Sequence, residues 1–260
     1  MRFLKRFYVG IIFFFLYAPI IILMIFSFSD SKFRGHWGGF TLRWYVELFR
    51  DREIMSALYY TVLIAVLASL IATIIGTIAA IGIHNMGKFG RNIIINLTYL
   101  PMLNPDIVTG ISLMILFVFL KVERGFFTLL LAHITFNIPY VIFAVMPKLK
   151  QMNKHLYEAA LDLGATPSYA FRKVILPEIM PGVVTGLILA FTLSIDDFVI
   201  SYFTTGAGVS NLSIVIHSMA RLGINPSINA LSTLMFITVL LLLLIVNKRS
   251  SNNSRKENAV

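Results

Sequence analysis

The sequence predicts an all-α, polytopic membrane protein with six transmembrane helices and both termini in the cytoplasm. Three observations carry that prediction. The 260 residues are 58% hydrophobic and 13% charged, where soluble domains average about 45–50% apolar and roughly 25% charged. Six stretches approach the roughly 20 apolar residues needed to cross about 30 Å of hydrocarbon at 1.5 Å per residue. All 22 Lys and Arg residues fall outside those stretches, and the side that collects most of them is the cytoplasmic one.

The elements follow in order. Residues 1–7 form a cytoplasmic N-terminus carrying Arg2, Lys5 and Arg6, and span 1 covers 8–28. That opening resembles a signal peptide, but the apolar run is too long and no small-x-small cleavage site follows it, so an uncleaved first helix is expected. An outer loop, 29–56, is polar with interspersed aromatics, among them Trp37, Trp44 and Tyr45; part of it should lie along the outer membrane interface, where Trp and Tyr rings settle. Span 2 covers 57–83, and Ala68, Ala72, Gly76 and Ala80 recur in it every four residues, which makes a small-residue face for close helix packing. Span 3 covers 92–120 and is broken at 101–105 by Pro101 and Pro105, since proline removes a backbone donor and disfavours helix in the residue before it. Span 4 covers 125–147. After the inner loop 148–181, span 5 covers 182–203, with its own small face at Gly182, Gly186 and Ala190. A second outer loop, 204–227, leads to span 6 at 228–246 and a cytoplasmic tail at 247–260.

This arrangement puts fourteen basic residues on the inner side and eight on the outer. The formal charge of +10 therefore reflects topology, and no nucleic-acid partner is expected. Cysteine is absent, which excludes disulfides, thiolate metal sites and thiol catalysis.

The inner loop carries a pattern of its own. Leu156, Ala159, Ala160 and Leu163 recur at three- and four-residue intervals, so 153–163 should be a short amphipathic helix. Gly164 supplies the left-handed position that ends it. Thr166 and Pro167 are an N-cap and first-turn pair for a second helix over 167–175, which Leu176-Pro177 should stop. At these residues the chain resembles the integral membrane subunits of bacterial ABC importers. Their cytoplasmic signature is Glu-Ala-Ala, three residues, Gly, nine residues, Ile, one residue, Leu-Pro. Here it reads Glu158-Ala159-Ala160-Leu-Asp-Leu-Gly164 and then Val174-Ile175-Leu176-Pro177, with Val174 in place of Ile. The resemblance implies a type I ABC importer permease fold in the bacterial inner membrane. It makes 148–181 a coupling hairpin that docks on a cytoplasmic ATPase through Glu158, Ala159, Ala160, Gly164, Leu176 and Pro177.

Across nearly its whole length the chain is similar to the spermidine/putrescine permease branch, through Asn104-Pro105-Asp106-Ile-Val, Ala132-His133-Ile-Thr-Phe136 and Leu193-Ser194-Ile-Asp196-Asp197. The resemblance implies a second permease, two ATPase copies that use ATP and magnesium, and an extracytoplasmic polyamine-binding protein as partners. It implies no cofactor and no catalysis in this chain. The same scaffold would also suit ferric iron or another organic cation.

Three acids remain inside the spans, Asp106, Asp196 and Asp197. A carboxylate there costs at least about 2.5 kcal/mol to insert, and no basic residue of the chain shares its depth, so the cation they face should be the cargo. The alternative is a structural role, through hydrogen bonds to residues such as Asn104 and Ser194 or to Lys or Arg of a second subunit. Adjacent helical positions point about 100° apart, so Asp196 and Asp197 cannot both face one route; one should instead bond a neighbouring helix. Trp44, Tyr99 and Tyr140 are candidates for cation–π contacts with the ammonium groups of a polyamine, at about 0.5–2 kcal/mol each. The five histidines, 36, 84, 133, 155 and 217, sit in five separate segments, so no metal site is expected. His133, the one well inside a span, reads as a hydrogen-bonded packing group. Gly82 to Lys88 begins like a phosphate-binding loop, but Phe89 stands where the motif needs Ser or Thr and no strand precedes it. A secondary transporter, with ion sites on broken helices, and a cation channel, with rings of acids, are the rival readings.

Overall fold

A computed structural model describes residues 2–31, 36–222, 226–238 and 240. Among them every regular element is helical: α1 (Arg2–Phe26), α2 (Arg43–Arg50), α3 (Arg52–Asn85), α4 (Lys88–Leu103), α5 (Asp106–Phe119), α6 (Phe126–Gln151), α7 (Lys154–Asp162), α8 (Pro167–Ala170), a π turn (Phe171–Ile175), α9 (Leu176–Asp196), α10 (Val199–Thr204) and α11 (Leu212–Leu222). A further short apolar helix, α12, covers Ser227–Thr238. Two compact units result, one of residues 1–55 and 216–260, the other Ser56–Val215.

In the described residues, four continuous helices are long and apolar enough to cross a membrane: α1, α3, α6, and the run from Pro167 to Asp196. The bent pair α4–α5 makes a fifth candidate. The sixth predicted span begins as α12, and its remainder, like the tail 247–260, lies outside the described residues apart from residue 240.

Three boundaries differ from the sequence reading, each for a reason in the backbone. In the region of span 3, helix α4 runs through Pro101 to Leu103, and the chain breaks at Asn104 (ψ 143°) and Pro105, turning by 102°. Pro105 forbids the helical conformation to Asn104 and then stands at the start of α5, where its missing N–H leaves no bond unmade. In the inner loop, Leu176-Pro177 does not stop the helix, because the π turn just before it passes the Leu176 N–H back to Phe171. Pro177 has no N–H to offer the Lys173 carbonyl, and it stands in the first turn of α9, just after that wider turn. In the region of span 5, the helix ends early, at Asp196, and restarts at Val199 after an extended Asp197 with ψ 124°.

The larger unit is organised around α6. Ala80, Ile83, Val141, Val145, Leu149 and Ile179 form one buried cluster, joining α3, α6 and α9. Both small-residue faces meet α6 here. A Cβ on Gly76 would stand 2.8 Å from the Val141 side chain, and one on Gly182 would stand 2.9 Å from the Ala144 carbonyl. A second cluster, Phe117, Ala132, Phe136 and Ile200, joins α5, α6 and α10.

In the other unit, the Trp44 indole N–H donates to the Ser29 carbonyl at 2.7 Å. Ser27 and Tyr45 share a hydroxyl contact at 2.7 Å, and the Phe28 ring packs against Phe40 and Tyr45. The apolar window of α1 is 0% buried within the chain.

Candidate functional site

The three intramembrane acids occupy different environments. Asp106 is the first residue of α5 and exposed, where its negative charge suits the positive end of the helix dipole. One turn on, Gly110 lies against α10, so close that an added Cβ would be 3.0 Å from the Phe203 ring and 3.4 Å from the Val199 carbonyl. Asp196 ends α9, three residues before Val199, and is exposed as well. Asp106 thus stands one turn before the contact of α5 with α10, and Asp196 stands three residues before α10 begins; neither forms an ion pair among the described residues. Tyr140, half-buried beside Phe136 with ring centroids 5.2 Å apart, lies within electrostatic reach of Asp106.

Asp197 is engaged by the fold. Its Oδ1 accepts from the Ile200 N–H at 3.1 Å and its Oδ2 from the Ser201 N–H at 2.7 Å, so the side chain caps the restarted helix α10. His133 Nε2 stands 3.6 Å from Oδ2 and 2.9 Å from the Ser201 hydroxyl. The Asp197 carbonyl accepts from the Asn211 amide at 2.9 Å. Only 7% of the carboxylate side chain is exposed.

The aromatic candidates also separate. Tyr99 is partly exposed and stacks on Phe143 at 4.0 Å between centroids. Trp44, in the other unit, is 2% exposed, with the Arg43 guanidinium 5.2 Å from its ring centre. Sequence reasoning passed over Asn137, whose amide donates to the Ser194 hydroxyl at 2.7 Å. The signal lay in spacing: Asn137 follows His133 by four residues, hence on the same face of α6.

The hairpin is shaped from its caps outward. Asn153 accepts from the His155 N–H and opens α7, Gly164 takes φ +85° after it, and Thr166 accepts from the Tyr169 N–H to open α8. Glu158 and Ala159 are exposed and Ala160 half-buried. Leu176 and Pro177 form the first turn of α9, Leu176 half-buried and Pro177 exposed. A concavity of about 510 Å³ lies at the turn, lined by Ala160, Leu163, Gly164, Ala165, Thr166 and Tyr169. Leu163 is 90% exposed and Tyr169 58%, so the concavity carries apolar surface open to water.

The chain matches the family described as binding-protein-dependent transport system inner membrane component over residues 72–251. It is 44% identical over 228 residues to the putrescine transport system permease protein PotI of Escherichia coli (strain K12), covering 85% of this chain and 81% of that protein. It is 39% identical over 239 residues to the spermidine/putrescine transport system permease protein PotC of the same strain, covering 92% and 90%. In fold it is similar to a chain of a bacterial ABC transporter involved in import of the acidic polysaccharide alginate, with TM-score 0.80 at 15% identity over 95% of each chain. It is also similar to a chain of the MetNI methionine ABC transporter, with TM-score 0.60 at 18% identity over 76% of this chain and 96% of that one.

Proposed function

The chain belongs to the family of binding-protein-dependent transport system inner membrane components, and from that membership we propose that it is one permease subunit of an ATP-driven importer that carries polyamines inward. A second permease completes the route, two ATPase copies bind and hydrolyse ATP with magnesium on the cytoplasmic side, and an extracytoplasmic binding protein delivers the cargo. The observation that carries the substrate class is the pair of exposed carboxylates, Asp106 one turn before the point where Gly110 packs on α10 and Asp196 at the break that precedes α10. Two separated negative charges, one of them within electrostatic reach of Tyr140, suit a cation with spaced ammonium groups, and the names of the relatives PotI and PotC point the same way.

Six spans with cytoplasmic ends complete the reading. The four long helices and the bent pair supply five, and α12 begins the sixth. On this topology the Glu158 hairpin faces the ATPase. Its exposed Leu163 and Tyr169 are then covered by that subunit, and closure of the ATPase dimer moves the hairpin to open the cavity outward.

The test is uptake of radiolabelled putrescine and spermidine in cells lacking this chain, with and without the gene restored. Uptake that returns with the gene is the expected result. Uptake indifferent to the gene would remove polyamines as the cargo and leave the importer assignment in place.

A further inference from the structure

Two neighbouring residues of like charge, Asp196 and Asp197, face opposite circumstances, and the contacts around them assign them different work. Helix α6 reaches both sides of the break between α9 and α10. Asn137 holds Ser194, two residues before Asp196; His133, one turn earlier on the same face, holds Ser201 at the start of α10 and stands beside the Asp197 carboxylate. Asn211 closes the third side through the Asp197 carbonyl. These groups are buried: His133 is 2% exposed, Ser194 2%, Asn137 and Ser201 0%.

The arrangement does more than fill space. His133 Nδ1 and Asn137 Oδ1 are buried without a hydrogen-bond partner among the described residues, and such atoms cost stability that an apolar pair would not. Polar residues kept at that cost mark a fixed geometry rather than a well-packed core. The geometry that they fix is the break itself, which turns the last residue of α9 away from the packed helices.

We propose that Asp197 and His133, with Asn137 and Ser194, are positioning residues that hold the broken helix open, and that Asp196 is the acid of the pair that meets the cargo. Asp197 takes no part in binding, because its side chain is turned onto the Ile200 and Ser201 N–H groups and only 7% of it is exposed. This division of labour rests on the cation route proposed above.

The chain has no cysteine, so single cysteines report on it without background. In the assembled transporter in proteoliposomes, Asp196→Cys and Asp197→Cys are treated with a methanethiosulfonate carrying a trimethylammonium group, with and without putrescine, and labelling is read on this chain alone. Cys at 196 should label at least about tenfold faster than Cys at 197, since thiol reactivity follows access, and putrescine should slow it. Asp197→Cys also removes the α10 cap, so Asp196→Cys is measured again in the His133→Leu and His133→Gln backgrounds. Leu should change the rate at 196 severalfold and Gln, which restores a donor near Nε2, should bring it back towards that of the His133 protein.

Rapid, putrescine-protected labelling at 197, or a rate at 196 indifferent to His133→Leu, would overturn the positioning role while leaving the cation route intact. Fast labelling at 196 that putrescine does not slow, with 197 still protected by burial, would instead sink the cation route and leave the built break standing.

Discussion

At Asp106 and Asp196 a carboxylate faces out of the packed helices with no ion pair among the described residues, so its loss removes charge and little else. Asp106→Asn and Asp196→Asn should each raise the KM for putrescine uptake about tenfold, the equivalent of roughly 1.4 kcal/mol, with unchanged amounts of assembled transporter. Wild-type concentration dependence in both variants would refute a role in the route. Gly164 offers a second single-residue test. Its φ of +85° with nothing near a Cβ means that Ala there costs about 1–2 kcal/mol of local strain and meets no clash, whereas Asp also places a charge in the apolar concavity. Gly164→Ala should retain part of the uptake and Gly164→Asp should lose it, together with stimulated ATPase activity; equal behaviour of the two would count against the hairpin as the docking surface. At this scale the sequence disclosed which residues are costly to bury, three acids and a histidine, because rarity inside a span is visible in composition. It could not disclose that Asp197 turns back onto the Ile200 and Ser201 amides, since that depends on a helix ending at Asp196, seven residues before the end of the apolar span 182–203.

The small-residue faces of α3 and α9 were legible in full from spacing, because close helix approach requires a missing side chain at every turn, and both faces meet α6. Their energetics can be separated from mere helix propensity. Gly182→Leu forces a side chain against the Ala144 carbonyl 2.9 Å away and should lower the unfolding temperature in detergent by several degrees or prevent assembly. Gly90→Ala, with open space around its Cβ, should be neutral or stabilising by up to about 1 kcal/mol. Comparable losses in the two would show that the α6–α9 contact is less tight than its geometry. The helix breaks were less legible. The prolines predict a break over 101–105 and a stop at Leu176-Pro177, yet α4 passes Pro101 and α9 passes both Pro177 and Pro181. Among the described residues the break falls at Pro105, with Asn104 before it forced into an extended conformation. A proline inside a membrane helix is tolerated where a wider turn or a neighbouring group serves the orphaned carbonyl, and no local pattern announces that.

For the molecule as a whole, charge placement decided the topology reading, and it makes a direct prediction. A cysteine added beside either terminus should resist a membrane-impermeant thiol reagent in intact cells and react in inverted vesicles; labelling of either end from outside would overturn the inward placement of the termini. The apolar window of α1, 0% buried within the chain, should become protected when the second permease is co-expressed, as read by thiol labelling along residues 8–26. The continuity of Pro167 to Asp196 has a mechanical consequence. Those 30 residues make a rod of about 45 Å at 1.5 Å per residue, with the hairpin at one end and the exposed carboxylate at the other. A tilt of about 10° would displace one end of such a rod relative to the other by roughly 8 Å. The movement that nucleotide closure gives the hairpin would then reach the cargo along a single lever arm, with α6, packed against it at Gly182, as its bearing.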